Sequence, residues 1–211
     1  MSRCIVIGAG ELAPDFLLDF SLREDDFVIC ADGGFAHAQK AGICPDLLMG
    51  DQDSFPQGFP DEYEKLVCRP EKDDSDMMLA VKEGIARGYS DFVLLGATGG
   101  RFDHTLANLQ TIAYGLDHNA FIIIADRYNM ITMLRNGTVE MPRMEGYYLS
   151  VFSYGEQCRG VSLSGVKYPL ADYTLTNTFP LGLSNEILAD TATVTVKEGT
   201  LVVVVAKDRS R

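Results

Sequence analysis

Arg3-Cys4-Ile5-Val6-Ile7, followed at once by Gly8-Ala9-Gly10, decides how the first half of this chain is read. Four consecutive apolar residues ending on glycine leave no polar face, so the run reads as a strand covered on both sides of a parallel sheet. A helical pattern comes next, over residues 11–20, and the alternation then recurs. Residues 27–31 form a second strand, followed by Asp32-Gly33-Gly34 and a helical stretch to Lys40. Leu47-Leu48-Met49 ends a third strand, and residues 65–68 add another. Met77, Met78, Val81 and Ile85 lie at helical spacing, with Arg87-Gly88 as the stop. Residues 92–95, 105–114 and 121–125 then repeat strand, helix, strand. The expectation is an α/β N-terminal domain over residues 1–126, with a mostly parallel, Rossmann-like sheet.

Beyond Asp126 the pattern changes. Residues 130–134, 137–141, 147–152, 161–163 and 173–176 are short, β-branched or aromatic, and punctuated by Gly, Pro and Asn. Residues 193–196 and 201–206 flank Lys197-Glu198-Gly199-Thr200, which reads as a hairpin. Residues 127–211 are therefore expected to form an all-β sandwich or barrel.

Composition limits what such a chain can bind. Its 211 residues are 46% apolar and 23% charged, and 18 basic against 30 acidic side chains give a net charge of −12. That surface repels phosphate backbones and anionic lipid, which argues against nucleic-acid and membrane partners. A phosphorylated substrate needs cations or a locally basic patch to approach. No apolar run reaches the roughly 18 residues of a membrane span. The five cysteines are scattered without a C-x-x-C pair, and the three histidines show no metal-ligand spacing with them. A reduced, cytoplasmic protein without zinc is expected.

Polar clusters fall where the parallel strands end, the edge at which open α/β sheets bind ligands. Gly50-Asp51-Gln52-Asp53-Ser54 follows the third strand directly. Residues two apart in extended chain point the same way, so Asp51 and Asp53 can share one cation, and carboxylate oxygens suit Mg²⁺. The same residues form turns, so a plain surface turn stays open. Glu71-Lys72-Asp73-Asp74-Ser75-Asp76 enters the helix near residue 77. A helix cap accounts for one or two of these acids, whereas three around a lysine exceed it. Asp73 and Asp76 can share one side of the first turn, with Lys72 offsetting charge or reaching a phosphate.

Gly96-Ala97-Thr98-Gly99-Gly100-Arg101-Phe102-Asp103-His104 lies between a strand and a helix. Its glycines let backbone N–H groups approach phosphate, and Arg101 offers a bidentate fork. It is not a Walker A loop, because no Gly-Lys-Ser/Thr follows. Gly182-Leu183-Ser184-Asn185-Glu186 reads, from composition, as a turn. Gly8-x-Gly10-x-x-Ala13, with Asp32 ending the next strand, matches a dinucleotide-binding fingerprint. Pro14 early in the helix and two unexplained acidic clusters count against it.

Taken in order, these segments resemble the thiamine pyrophosphokinase family. The matching stretches are Ala31-Asp32-Gly33-Gly34, Gly50-Asp51-Gln52-Asp53-Ser54, Lys72-Asp73-Asp74-Ser75-Asp76, the run from Thr98 through His104 to Asn108, and Ser184-Asn185. Ser75 stands where the family more often has Thr, and Gln52 where it often has an apolar residue. The resemblance implies a homodimer that transfers a pyrophosphoryl group from ATP to the hydroxyl of thiamine, giving thiamine diphosphate and AMP. It implies Asp51, Asp53 and Asp76 as Mg²⁺ ligands, with Asp73 nearby and Arg101 among the catalytic groups. Asp32, Gly33, Lys72, Thr98, Gly99, Arg101, Asp103 and His104 would surround the nucleotide, and Ser184 and Asn185 would bond the thiamine pyrimidine. The alternatives are a pyrophosphokinase for another alcohol such as a hydroxymethylpterin, an NAD(P)-binding oxidoreductase, and a non-catalytic thiamine or nucleotide sensor.

Overall fold

A computed structural model of the chain describes residues 2–51, 60–67 and 74–208. The chain divides into two compact units, Met1–Arg127 and Tyr128–Arg211. Among the described residues of the first lie six strands and four helices. They run β1 (Cys4–Ile7), α1 (Pro14–Asp19), β2 (Phe27–Ala31), α2 (Gly34–Ala41), β3 (Leu47–Gly50) and β4 (Glu64–Val67). Then follow α3 (Asp76–Ala86), β5 (Asp91–Leu95), α4 (Phe102–Asp117) and β6 (Phe121–Ala125). The strands lie in the order β4-β3-β2-β1-β5-β6, and each of these pairings is parallel.

Residue alternation explains why the strands read as unbroken apolar runs. Ile5, Ile7, Val28, Cys30, Leu48, Val93 and Leu95 form one cluster with Leu17 of α1 and with Phe35 and Ala38 of α2. The intervening residues point to the other face, where Gly84 of α3 packs against Phe92 and Cys4. Burying both faces removes any need for polar positions inside β1.

The order also fixes where a ligand can enter. The chain lays β2, β3 and β4 on one side of β1, then returns to place β5 and β6 on the other. The loops after β1 and β5 leave the sheet at this switch point, which opens a crevice at the carboxyl ends of the strands.

Three boundaries differ from the sequence expectation. The first helix begins at Pro14 rather than residue 11. Proline carries no N–H and would clash one turn back, so it belongs in the first turn, and Ala13 before it is extended. Helix α4 begins at Phe102, which puts Phe102, Asp103 and His104 in its first turn rather than in the loop. Strand β4 is Glu64–Val67, exposed along its length, as a short charged edge strand can be.

The second unit comprises β7 (Asn129–Pro142), β8 (Tyr147–Ser153), β9 (Gln157–Ser164), β10 (Leu170–Thr176) and β11 (Thr191–Lys207), paired antiparallel throughout. Its core gathers Leu149, Val151, Val161, Leu163, Val194, Val203 and Val205. The hairpin expected at residues 197–200 does not form. Val196 pairs with Gly137 and Thr200 with Arg135, so three residues of β11 stand opposite the single Asn136. The chain bulges without reversing: Gly199 takes a φ of +110° and its N–H donates to Asn136 Oδ1 at 2.9 Å. A Gly-containing insertion signals a turn and a bulge alike, and here the long strand β7 keeps both halves of β11 on one partner. On its other edge β11 takes β9 before the bulge and β8 after it.

Candidate active site

The crevice is built from two glycine loops that continue the sheet's hydrogen bonding past its strands. Gly8 N–H donates to Leu95 O at 2.8 Å, and Gly10 N–H donates to Gly96 O at 2.9 Å. The approach is too close for side chains. A Cβ on Gly10 would stand 2.3 Å from Gly96 O, and one on Gly96 would stand 2.5 Å from Gly8 O. Beyond this contact the loops part around a cavity of about 360 Å³. Gly8, Ala9, Gly10 and Glu11 line one wall, and residues 96–101, His104, Ala107 and Asn108 line another. Ala31 and Asp32 from the end of β2, with Ser75, Asp76 and Met77 from the start of α3, complete it.

Of the residues expected at a site, Asp32, Asp76, Thr98, Gly99, Arg101 and His104 are brought together in this one lining. Gly33, Asp51 and Asp103 do not line it. Gly33 follows the lining residue Asp32 and Asp103 precedes the lining residue His104, whereas Asp51 follows β3, none of whose residues lines the cavity. Asp53, Lys72 and Asp73 lie outside the described residues. The sequence gives no site role to Glu11 or Ser75, both of which line the cavity. Gly8 and Gly10, which match the rival dinucleotide fingerprint, form a wall of the same cavity as Asp32.

Local chemistry explains how these side chains are held. Asp32 adopts a φ of +54°, a conformation costing about 1 kcal/mol or more outside glycine, and its N–H donates to Met49 O at 2.7 Å. Ser75 caps α3, its hydroxyl accepting from Met78 N–H at 3.2 Å, which fixes Asp76 in the first turn. Asp74 is gripped from the same helix by Lys82 Nζ at 2.6 Å, and that bond to Asp74 raises the Lys82 pKa. Lys82 also sits 5.3 Å from the centre of the Tyr114 ring, so α3, α4 and the acidic segment share one cation.

Arg101 forms a two-pronged bond to Asp103, Nη2 to Oδ2 at 2.6 Å and Nε to Oδ1 at 3.1 Å. The hydrogen bond from Arg101 holds the Asp103 carboxyl below its ordinary value. Both side chains are exposed, so the pair is weak and a phosphate can take Arg101 from it. The lining thus carries Glu11, Asp32 and Asp76 against Arg101, an acidic crevice with a guanidinium fork at its edge.

In the second unit Ser184 has a φ of +57° and its N–H donates to Ser150 Oγ at 2.9 Å. Asn185 is buried. Its Oδ1 accepts from Tyr168 N–H at 3.0 Å and its Nδ2 donates to Tyr168 O at 2.8 Å, while its backbone exchanges two bonds with Leu149. Its amide is thereby a brace between the residue-168 turn and β8.

Comparison with known proteins bears on both units. Residues 19–124 match the family model described as thiamin pyrophosphokinase, catalytic domain, and residues 137–201 match thiamin pyrophosphokinase, vitamin B1 binding domain. Thiamine pyrophosphokinase of Bacillus subtilis is 30% identical over 207 residues, covering 95% of this chain and 96% of that protein. The crystal structure of thiamin pyrophosphokinase from Geobacillus thermodenitrificans superposes with a TM-score of 0.86 at 31% identity, covering 100% of this chain and 99% of the other. That of a thiamin pyrophosphokinase family protein from Enterococcus faecalis gives 0.86 at 27%, covering 99% and 100%.

Proposed function

The chain belongs to the thiamin pyrophosphokinase family, and on that premise we propose that it transfers a pyrophosphoryl group from ATP to thiamine, releasing AMP. The observation that carries this reading is the single crevice at the β1/β5 switch point. There acids from the end of β2 and the start of α3 meet the Thr98–Arg101 segment. The parallel sheet behind it reads as a Rossmann-like nucleotide fold.

In this reading the thiamine hydroxyl oxygen attacks the β-phosphorus. The bond from that phosphorus to the α,β-bridging oxygen breaks, and AMP leaves with the oxygen. The hydroxyl proton passes to a carboxylate of the crevice. Such a transfer asks for positioning and charge neutralisation more than for covalent chemistry. Arg101 exchanges Asp103 for a phosphate, and the backbone N–H groups of residues 99–101 serve the same charge. Asp32, Gly33 and His104 border the nucleotide. The fixed positive charge of the thiazolium favours a crevice bearing Glu11, Asp32 and Asp76.

The donors at this edge are carboxylate oxygens, the hard ligands that Mg²⁺ selects, and Mg²⁺ is commonly held by one or two of them together with phosphates. Asp51 and Asp76, with Asp53, would hold the ion; when bound it neutralises phosphate charge. Ser184 is assigned to the thiamine side, and Asn185, its amide engaged with the Tyr168 backbone, holds that segment in place. Exposed Tyr168, Phe179, Leu181, Leu183 and Leu188 support a homodimer built through the second unit. The free, buried thiols of Cys4, Cys30 and Cys158 suit a reducing, cytoplasmic setting.

The test is incubation with ATP, Mg²⁺ and thiamine. Equal amounts of AMP and thiamine diphosphate are expected, and Asp51→Asn or Asp76→Asn should lower turnover by roughly a hundredfold or more. Formation of ADP with thiamine monophosphate, or no product, would refute the assignment.

A further inference from the structure

We propose that Asp126 is a positioning residue for pyrophosphoryl transfer, acting through Thr98 to hold the glycine loop against the nucleotide; this rests on the ATP-dependent reading above. Asp126 directly follows β6, where Ala125 pairs with Leu95, the last residue of β5. Three residues past Leu95 the Thr98 hydroxyl donates to Asp126 Oδ2 at 2.6 Å. An ionised carboxylate only accepts, so the direction of this bond is forced. The Thr98 proton is committed to Asp126, and the hydroxyl has none left to give a phosphate oxygen.

The surrounding bonds point to the same division of work. Gly96 O accepts from Gly10 N–H at 2.9 Å, Ala97 O accepts from the buried Asn108 Nδ2 at 2.7 Å, and Thr98 is fixed by Asp126. Three consecutive residues are thus pinned by three different elements: the loop after β1, helix α4 and the end of β6. The next two, Gly99 and Gly100, take φ values of +80° and +59° and are exposed beside Arg101. The pinned half sets where the exposed half presents its N–H groups. Thr98 therefore serves the nucleotide as an anchor and not as a phosphate donor, and Asp126 is what the anchor holds.

The experiment is a cycle of Thr98→Val, Thr98→Ser, Asp126→Ala and the double variant Asp126→Ala/Thr98→Val. Each is assayed for AMP formation with ATP and thiamine varied separately, and for Mg·ATP binding by calorimetry. Losing one charge-assisted hydrogen bond should raise the KM and Kd for ATP by roughly five- to twentyfold in Thr98→Val and in Asp126→Ala. The thiamine KM should stay fixed and Thr98→Ser should behave as wild type. The double variant should be no worse than Thr98→Val, because both changes remove one bond. Should Asp126→Ala leave ATP binding unchanged or tighter, Thr98 would be a phosphate donor freed by the change, and the proposal falls. Independent multiplication of the two losses, or wild-type behaviour of Thr98→Val, also overturns it. Thr98→Val alters only the loop, so the test survives even if Asp126→Ala does not fold. A wild-type protein that binds Mg·ATP but makes no thiamine diphosphate refutes the proposed function, while the binding cycle still decides the role of Asp126.

Discussion

Replacing Gly10 by alanine isolates the contact on which the crevice depends. The added Cβ would lie 2.3 Å from Gly96 O and 3.0 Å from both Gly96 C and Thr98 O, against an ordinary contact of at least 3.4 Å. All three opposing atoms are backbone, so no side chain can swing aside, and the loops must separate by about 1 Å. That movement breaks the 2.9 Å bond from Gly10 N–H to Gly96 O, at a cost of about 1 kcal/mol. It also carries residues 98–101 away from their bonded positions, and misplacing a reacting group by about 1 Å costs on the order of a hundredfold in rate. The expected result for Gly10→Ala is a fall of roughly a hundredfold in kcat/KM for ATP with a modest drop in Tm. Gly42→Ala is the matched control. Gly42 ends α2 at a φ of +69° with nothing within 4 Å of its added Cβ, so the change should cost about 1 kcal/mol of stability and leave kcat/KM alone. The assay is steady-state AMP release beside thermal unfolding of both variants. Gly10→Ala with wild-type kcat/KM would show that the loops tolerate separation and that their contact does not set the site.

Two further outcomes test how each unit is held. Burial of Asp26 opposes its charge, but Arg3 donates to it twice, at 2.9 and 2.6 Å, and Arg23 N–H once at 2.9 Å, so its carboxyl titrates below its ordinary value. A depressed carboxylate stabilises the fold above the unfolded-state pKa of about 3.9 and loses that contribution as pH falls through the folded value. Urea unfolding should find Asp26→Asn less stable by about 1–3 kcal/mol at pH 7, the gap narrowing below about pH 4; a constant gap contradicts the reasoning. In the second unit, Asn185→Ala removes two bonds to the Tyr168 backbone and should cost about 2–3 kcal/mol in unfolding free energy. An unchanged Tm with a raised thiamine KM would instead make Asn185 a ligand contact and not a brace.

The strands of the first unit were legible because β1, β2 and β5 are apolar on both faces, a pattern that needs cover from two sides and admits few arrangements besides a parallel sheet. The site was legible where its residues cluster in sequence, as Thr98 to His104 do. It was illegible where partners are distant. Thr98 and Asp126 stand 28 residues apart and meet only because Leu95 and Ala125 share a register. Asn185 looked like a turn residue because nothing local shows that Tyr168 lies across from it. The hairpin expected at residues 197–200 fails for a related reason: Gly199 licenses the same left-handed backbone in a turn or a bulge, and only the length of β7 decides between them.

The glycine fingerprint, which Pro14 and the two acidic clusters count against, has its own physical explanation. Gly8 and Gly10 match a dinucleotide-binding fingerprint because glycine after a strand permits close approach of a phosphate. In this chain the close approach is to another loop: Gly10 meets Gly96, and the cavity begins beyond that contact. The same absence of a side chain serves either purpose, so the motif specifies proximity without saying to what. Pro14 adds a physical reason against phosphate here. It starts α1 late, so three residues separate Gly10 from the helix, and α1 itself is only six residues long. In the proposed function the phosphate-facing role falls to residues 99–101, which lead directly into the 16-residue α4. The two glycine motifs belong to one crevice, with the first loop supplying a wall and the second, in the proposed function, the groups that face phosphate.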